Sequence, residues 1–173
     1  MFDGINLQAS IYALSLLIIL YFYGSGNKFI LLILIGLLFF INLNFQNKSF
    51  LGDSGSLLLA TIISFIFILD YNSNYFLADE VFFFLIFPGL DMFRLFIYRI
   101  YKGKNPFIGD NNHLHHILLG KFNASRILII TSGSQLLFFS IYKILDVNLL
   151  AMILLNIIYY LTLIIIFKKY EKN

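Results

Sequence analysis

The chain has no cysteine, no tryptophan and few charges: 12% of its 173 residues are Asp, Glu, Lys or Arg. Without cysteine there are no disulfides and no thiolate metal sites. Soluble domains carry about 25% charged and about 45–50% apolar residues. Here 60% are hydrophobic and the mean hydropathy is +0.88. A soluble domain of this length cannot hide that much apolar surface, so lipid must cover it. The length suits a single membrane domain over residues 1–173. No basic residue precedes the first apolar run after Met1-Phe2-Asp3-Gly4, which argues against a cleaved signal peptide. No repeat or low-complexity tract stands out. What the chain has in quantity is Phe, with 21 residues, and Tyr, with 11.

A membrane span takes about 20 mainly apolar residues. Six segments qualify: Leu7–Tyr23, Phe29–Phe45, Leu57–Leu69, Val81–Tyr98, Ile127–Leu145 and Leu149–Phe167. Gly24-Ser25-Gly26-Asn27 separates the first two with turn residues. The third is short unless Ser54-Gly55-Ser56 opens it, with Ser54 as its N-cap. The fourth is apolar only to Leu90, where Asp91 and Arg94 interrupt it. The expected fold is therefore all-α, a polytopic transmembrane bundle of about six spans. Alternation puts Lys48, Arg94, Arg99, Lys102, Lys104, Lys121, Arg126, Lys168, Lys169 and Lys172 on one side, against Lys28 and Lys143 on the other. The excess of Lys and Arg predicts that the first side faces the cytoplasm.

Four polar clusters fall on that side. Their placement comes from helix alternation, so their convergence carries information, and ionisable groups near membrane depth are functional candidates. Gly52-Asp53-Ser54-Gly55-Ser56 reads as a loop between two spans. Its glycines allow close approach of a ligand. Asp53 is a hard oxygen ligand suited to Mg²⁺, and the following helix turns its N-terminus toward an anion. A plain capping turn reads equally well. A serine-protease nucleophile segment has a similar string, but that chemistry needs a soluble barrel with a base and its orienter.

His113-Leu114-His115-His116 holds all three histidines of the chain. It reads as a zinc site, as a phosphate-handling cluster together with Lys102, Lys104 and Lys121, or as a solvated basic loop on anionic lipid. Asp91 and Arg94 are three apart and share a helix face. They read as an intrahelical ion pair, or as the start of a phosphate site in which Arg94 or Arg99 contacts substrate. Asp3-Gly4-Ile5-Asn6 is by itself only a helix-start signal.

In order and spacing, these motifs resemble the polyprenyl-phosphate N-acetylhexosamine-1-phosphate transferases, glycosyltransferase family 4. The matching text is FDGIN at Phe2 to Asn6, FLGDSGSL at Phe50 to Leu57, PGLDMFRLFIYRIYKGKNPF at Pro88 to Phe107, and HLHH at His113 to His116. The interrupted histidine run is similar to the WecA-like branch, which primes envelope polysaccharides, rather than to phospho-N-acetylmuramoyl-pentapeptide transferase.

The resemblance implies transfer of a sugar-1-phosphate from a UDP-sugar, such as UDP-GlcNAc, to undecaprenyl or another polyprenyl phosphate, releasing UMP. It implies Mg²⁺, with Mn²⁺ as a substitute, and an active site on the cytoplasmic face of the cell's inner membrane. It implies that Asp53 binds the metal, that Asp3 and Asn6 serve the nucleotide, and that His113, His115 and His116 handle the sugar-nucleotide phosphates. Arg94, Arg99 and Lys104 complete the expected substrate contacts, and no nucleic acid is expected.

Leu7 stands where the family often has Gly, and Asn111 where an Arg often precedes the histidines. The family's upstream Asp-Asp motif has no counterpart in the chain. It reads as the C-terminal half of a longer transferase, completed by an N-terminal half or working as a homodimer. The alternatives are a catalytically inert membrane fragment or subunit and, last, a small transporter.

Overall fold

A computed structural model describes residues 7–107 and 112–168. Those residues form α1 (Gln8–Tyr23), α2 (Lys28–Phe45), α3 (Gly52–Asn72), α4 (Ala78–Tyr101), α5 (Leu114–Leu119), α6 (Ala124–Leu128), a π-helical turn (Ile129–Gly133), α7 (Ser134–Leu145) and α8 (Leu149–Lys168), with no strand among them. Five helices are long and apolar enough to cross a membrane: α2, α3, α4, the run Arg126–Leu145 and the run Leu149–Phe167. At 16 residues α1 is shorter, and it packs against α2 and α3. The chain is a helical, multi-pass membrane protein.

The outward faces suit lipid. Leu32, Ile35 and Phe39 on α2, Phe65 and Ile68 on α3, and Leu154, Ile158 and Ile165 on α8 are all exposed. Interior packing is aromatic. Phe67, Phe76, Phe83, Phe84 and Phe139 lock α3, α4 and α7 together, with the Phe84 and Phe139 rings 4.5 Å apart. Glu80, 2% exposed, fastens the start of α4 to the end of α7. It accepts from Lys143 Nζ at 2.6 Å and from the Tyr142 hydroxyl at 2.8 Å. Its other oxygen caps α4 by accepting from Leu77 N at 2.9 Å. A second cluster, with Phe87, Leu114, Leu118, Ile127, Tyr160 and Leu163, forms the floor beneath the histidine segment.

Three sequence expectations change. The Gly52–Ser56 string is not a loop but the first turn of α3, and Leu51, not Ser54, is the N-cap residue. Gly52 takes φ +63, so the chain turns into the helix three residues earlier than a Ser54 cap requires. The fourth span, read as Val81–Tyr98, runs slightly further, from Ala78 to Tyr101, and its charged residues find partners on other elements. The fifth span contains the π-helical turn, a feature often found at functional sites.

Pro88 lies inside α4 and lacks the N–H that would bond the carbonyl of Phe84 four residues back. The Tyr12 hydroxyl of α1 donates to that carbonyl at 2.5 Å. Tyr12→Phe is therefore expected to cost about 1–3 kcal/mol, the penalty of an orphaned buried acceptor. In a Pro88→Ala background, where the helical bond returns, the same change should cost far less. Chemical unfolding of the four proteins in detergent reads this coupling; equal costs in both backgrounds would refute the assignment.

Leu7 caps α1 at φ 80 and ψ −15, a left-handed conformation that glycine tolerates better. The departure from the family's glycine thus carries strain. Leu7→Gly is expected to stabilise the chain by up to about 1 kcal/mol after the entropic cost of glycine. A lower midpoint in the same unfolding assay would show that the Leu7 side chain outweighs the strain.

Candidate active site at one end of the bundle

The second half of α4, the start of α5 and the middle of α8 meet around one carboxylate. Asp91 faces Arg94 one turn along α4, and Arg94 Nη2 donates to Asp91 Oδ1 at 2.8 Å. The intrahelical pair expected from the spacing is present, but Asp91 does more. Tyr160 of α8 donates its hydroxyl to Oδ1 at 3.0 Å. His113 Nδ1 lies 2.9 Å from Oδ2. Leu114 N donates to both oxygens, at 3.1 and 3.3 Å. Asp91 therefore caps α5 from another helix while it orients a histidine.

Arg94 is equally committed. Its Nε donates to the Tyr160 hydroxyl at 2.8 Å and its Nη2 to the Asn112 carbonyl at 2.7 Å. Arg94 supports the histidine segment from below. An ionised Asp91 accepts a proton only from the Nδ1–H form of His113, which leaves His113 Nε2 as the lone-pair nitrogen or, on protonation, a second donor.

The three histidines are not a solvated loop. His113, at 9% exposure, sits just ahead of α5, and His115 is 4% exposed. Their rings stack in parallel, 5.4 Å apart with a 5° interplanar angle. Burial, with the charges of His116 and His113 nearby, pulls the His115 pKa down to about 4, so it is neutral near pH 7. His116 is half-buried, and its ring lies 4.3 Å from that of His115. Of the three, His116 is the one that solvent reaches most readily.

Arg99 is buried, and its Nη1 donates to the Pro106 carbonyl at 2.8 Å, which folds the segment after α4 back onto the helix. The basic turn is a helix cap. Gly103, at φ +66, bonds to Ile100 O, and Lys104 N bonds to Arg99 O, the two bonds of a Schellman motif. The Lys104 side chain remains exposed, as do Lys102 and Lys121. Exposed lysines thus flank the histidine segment on both sides in the chain.

Asp53 is exposed in the first turn of α3. Among the described residues no three of His, Asp and Glu converge to hold a metal ion. Asp53 thus fits a divalent cation as a single carboxylate ligand, the arrangement in which substrate phosphates and water complete the shell. Asp3 and Asn6 lie outside the described residues.

Sequence reasoning missed Tyr160, which it read as part of an apolar span, and Gln8 and Thr131, which line a small cavity with Asp91, His113 and His115. A second, larger cavity of about 570 Å³ runs along the bundle between α1, α3 and α4 and is apolar, from Leu51 and Ser56 at one end to Tyr71 and Ala78 at the other.

Over 91 residues, 53% of the chain, the sequence is 33% identical to the undecaprenyl-phosphate alpha-N-acetylglucosaminyl 1-phosphate transferase of Thermotoga maritima. The proteins of the same name from Pasteurella multocida and Haemophilus influenzae are each 32% identical, over 51% and 49% of the chain. The matches span 30%, 26% and 25% of those three relatives. No protein-family model and no solved structure matches the chain. The resemblance carried by the sequence motifs is thus borne out over half of the chain.

Proposed function

We propose that this chain, related over half its length to undecaprenyl-phosphate GlcNAc-1-phosphate transferases, carries part or all of an enzyme that moves a sugar-1-phosphate from a UDP-sugar to a polyprenyl phosphate. The supporting observation is the carboxylate-held histidine, Asp91 with His113, in a membrane bundle, with exposed lysines flanking the histidine segment in the chain. In the reaction an oxygen of the lipid phosphate bonds to the sugar-bearing phosphorus. The bond from that phosphorus to the bridging oxygen breaks, and UMP leaves with that oxygen. Such transfer depends mainly on positioning and on neutralising phosphate charge.

Each group then has a task. His116 and the exposed Lys102, Lys104 and Lys121 attract the diphosphate to the membrane surface. His113, held by Asp91, offers Nε2 to a phosphate oxygen or to the leaving group. Arg94 and Arg99 hold the framework. Asp53, at the positive end of α3, would hold Mg²⁺ or Mn²⁺ beside substrate phosphates. Bound there, the metal supplies further charge neutralisation. The excess of Lys and Arg on this side of the helices supports an orientation toward the cytoplasm, in the inner membrane. The apolar groove runs away from the polar face between α3 and α4, where hydrocarbon can lie.

The test is an assay with UDP-GlcNAc, other UDP-N-acetylhexosamines and undecaprenyl phosphate in the presence of Mg²⁺. It is run on this chain and on a form carrying any contiguous upstream coding sequence. The expected result is Mg²⁺-dependent release of UMP with a lipid-linked sugar phosphate as the other product. Inactivity of both forms with every donor would leave the inert membrane subunit as the better reading.

A further inference from the structure

A small cavity of about 20 Å³ lies where α1, α4, α5 and the π-helical turn meet, lined in part by Gln8, Asp91, His113, His115 and Thr131. About 10–15 Å³ on this measure suffices for one water molecule. Gln8 is 2% exposed and His115 4%. Gln8 Oε1 and His115 Nε2 are both buried, and neither has a hydrogen-bond partner within the protein. Orphaned buried polar atoms are uncommon in folded proteins and each costs about 1–3 kcal/mol. Two of them at one water-sized polar cavity point to a shared partner.

The two orphaned atoms and their neighbours suggest how that partner bonds. Gln8 Oε1 can only accept. Thr131 has already given its hydroxyl proton to the Ile127 carbonyl, at 2.9 Å, and offers lone pairs. Asp91 accepts from Arg94, Tyr160, Leu114 N and His113, and an ionised carboxylate has nothing to donate. His113 gives its Nδ1 proton to Asp91, so its Nε2 is also an acceptor. Acceptors thus surround the cavity, and both protons of a water find takers there. Apart from the amide of Gln8 itself, His115 Nε2 is the lining side-chain group that can complete the set as a donor.

We infer that one water binds in this cavity, donating to Gln8 Oε1 and accepting from His115 Nε2–H, and that Gln8 thereby positions His115 in the Nε2–H tautomer. The Nδ1 of His115 then keeps its lone pair, so the ring serves as a hydrogen-bond acceptor and not as a cation. The depressed pKa of this buried ring agrees with that role. Because His115 stacks in parallel on His113, fixing one ring also backs the other. The water site joins the first turn of α1 to the histidine segment, and it stands whether or not the chain transfers sugar phosphates.

The experiment uses the full chain, labelled with ¹⁵N-histidine, in lipid nanodiscs. Between pH 6 and 8 the wild-type His115 should show a protonated Nε2 and an unprotonated Nδ1, and its ring protons should cross-relax with a long-lived water. Gln8→Met keeps the side-chain length and removes the oxygen. It should abolish the water contact and mix the His115 tautomers while His113 keeps its Nδ1–H signature. An Nδ1–H tautomer for wild-type His115, or the absence of the water contact, would overturn the inference. An unchanged His115 spectrum in Gln8→Met would do the same. If Gln8→Met does not fold, the two wild-type measurements decide the matter alone.

Discussion

Asp91→Asn is expected to lower both stability and transfer, and by more than any other single change in the site. The side chain is 13% exposed and Arg94 19%, so the pair is shielded from solvent. An amide in place of the carboxylate leaves the Arg94 charge without its counter-ion among Tyr160 and the Asn112 carbonyl. Breaking a buried pair from one side costs about 3–5 kcal/mol. The amide must also present an N–H toward one of the donors that Asp91 accepts from, His113 or Leu114 N or Arg94, and it no longer selects the His113 Nδ1–H tautomer. Losing a carboxylate that orients a catalytic histidine lowers turnover by about 10³–10⁴-fold where such pairs have been dissected. Unfolding in detergent and the UMP-release assay read the two effects separately. Tyr160→Phe, which removes the hydroxyl that donates to the same carboxylate and accepts from Arg94 Nε, leaves the two charges paired with each other and should cost about 1.5–3 kcal/mol. Wild-type stability and wild-type turnover in Asp91→Asn would dissolve the proposed role of the whole cluster.

Asp53→Asn is expected to separate the same two quantities. Asp53 is exposed, so its removal should change stability by less than about 1 kcal/mol, the size of a helix-dipole contact at the first turn. If Asp53 holds the divalent cation against substrate phosphates, transfer should fall more than about 100-fold at saturating Mg²⁺, because a neutral amide is a far poorer ligand for a hard cation. The apparent Mg²⁺ requirement should rise in the same variant. Near-normal turnover would remove Asp53 from the metal role and leave it as a capping carboxylate. The two aspartates thus carry opposite predictions: loss of stability and transfer together for Asp91, and loss of transfer alone for Asp53.

The helices were legible in the sequence because a bilayer tolerates little else. Backbone polar groups must be satisfied within each span, and about 20 apolar residues are needed to cross. Boundaries were less legible where small polar residues open a helix. Gly52, Asp53 and Ser54 have the composition of a loop, yet with Gly52 in a left-handed conformation they form the first turn of α3. The π-helical turn at Ile129–Gly133 was invisible, since its residues fit an ordinary apolar span. The motif order carried the family resemblance, which the three relatives bear out over half of the chain.

Asp91 shows where sequence reading stopped. Its pairing with Arg94 is local, three residues along one helix, and could be read from spacing. Its bonds to His113 and Tyr160 join residues 22 and 69 positions away, which no local pattern reports. The histidines were likewise legible as a cluster but not as buried groups. A run of three histidines beside lysines has the composition of a wet surface, and only the packing of α5 on Phe87, Ile127 and Tyr160 takes them inside. By itself the sequence determined a membrane bundle with its polar chemistry gathered at one end, because lipid dictates where charge can go. The tertiary structure decided which of those charges stay exposed and which hold the frame, because that depends on contacts between helices far apart in the chain.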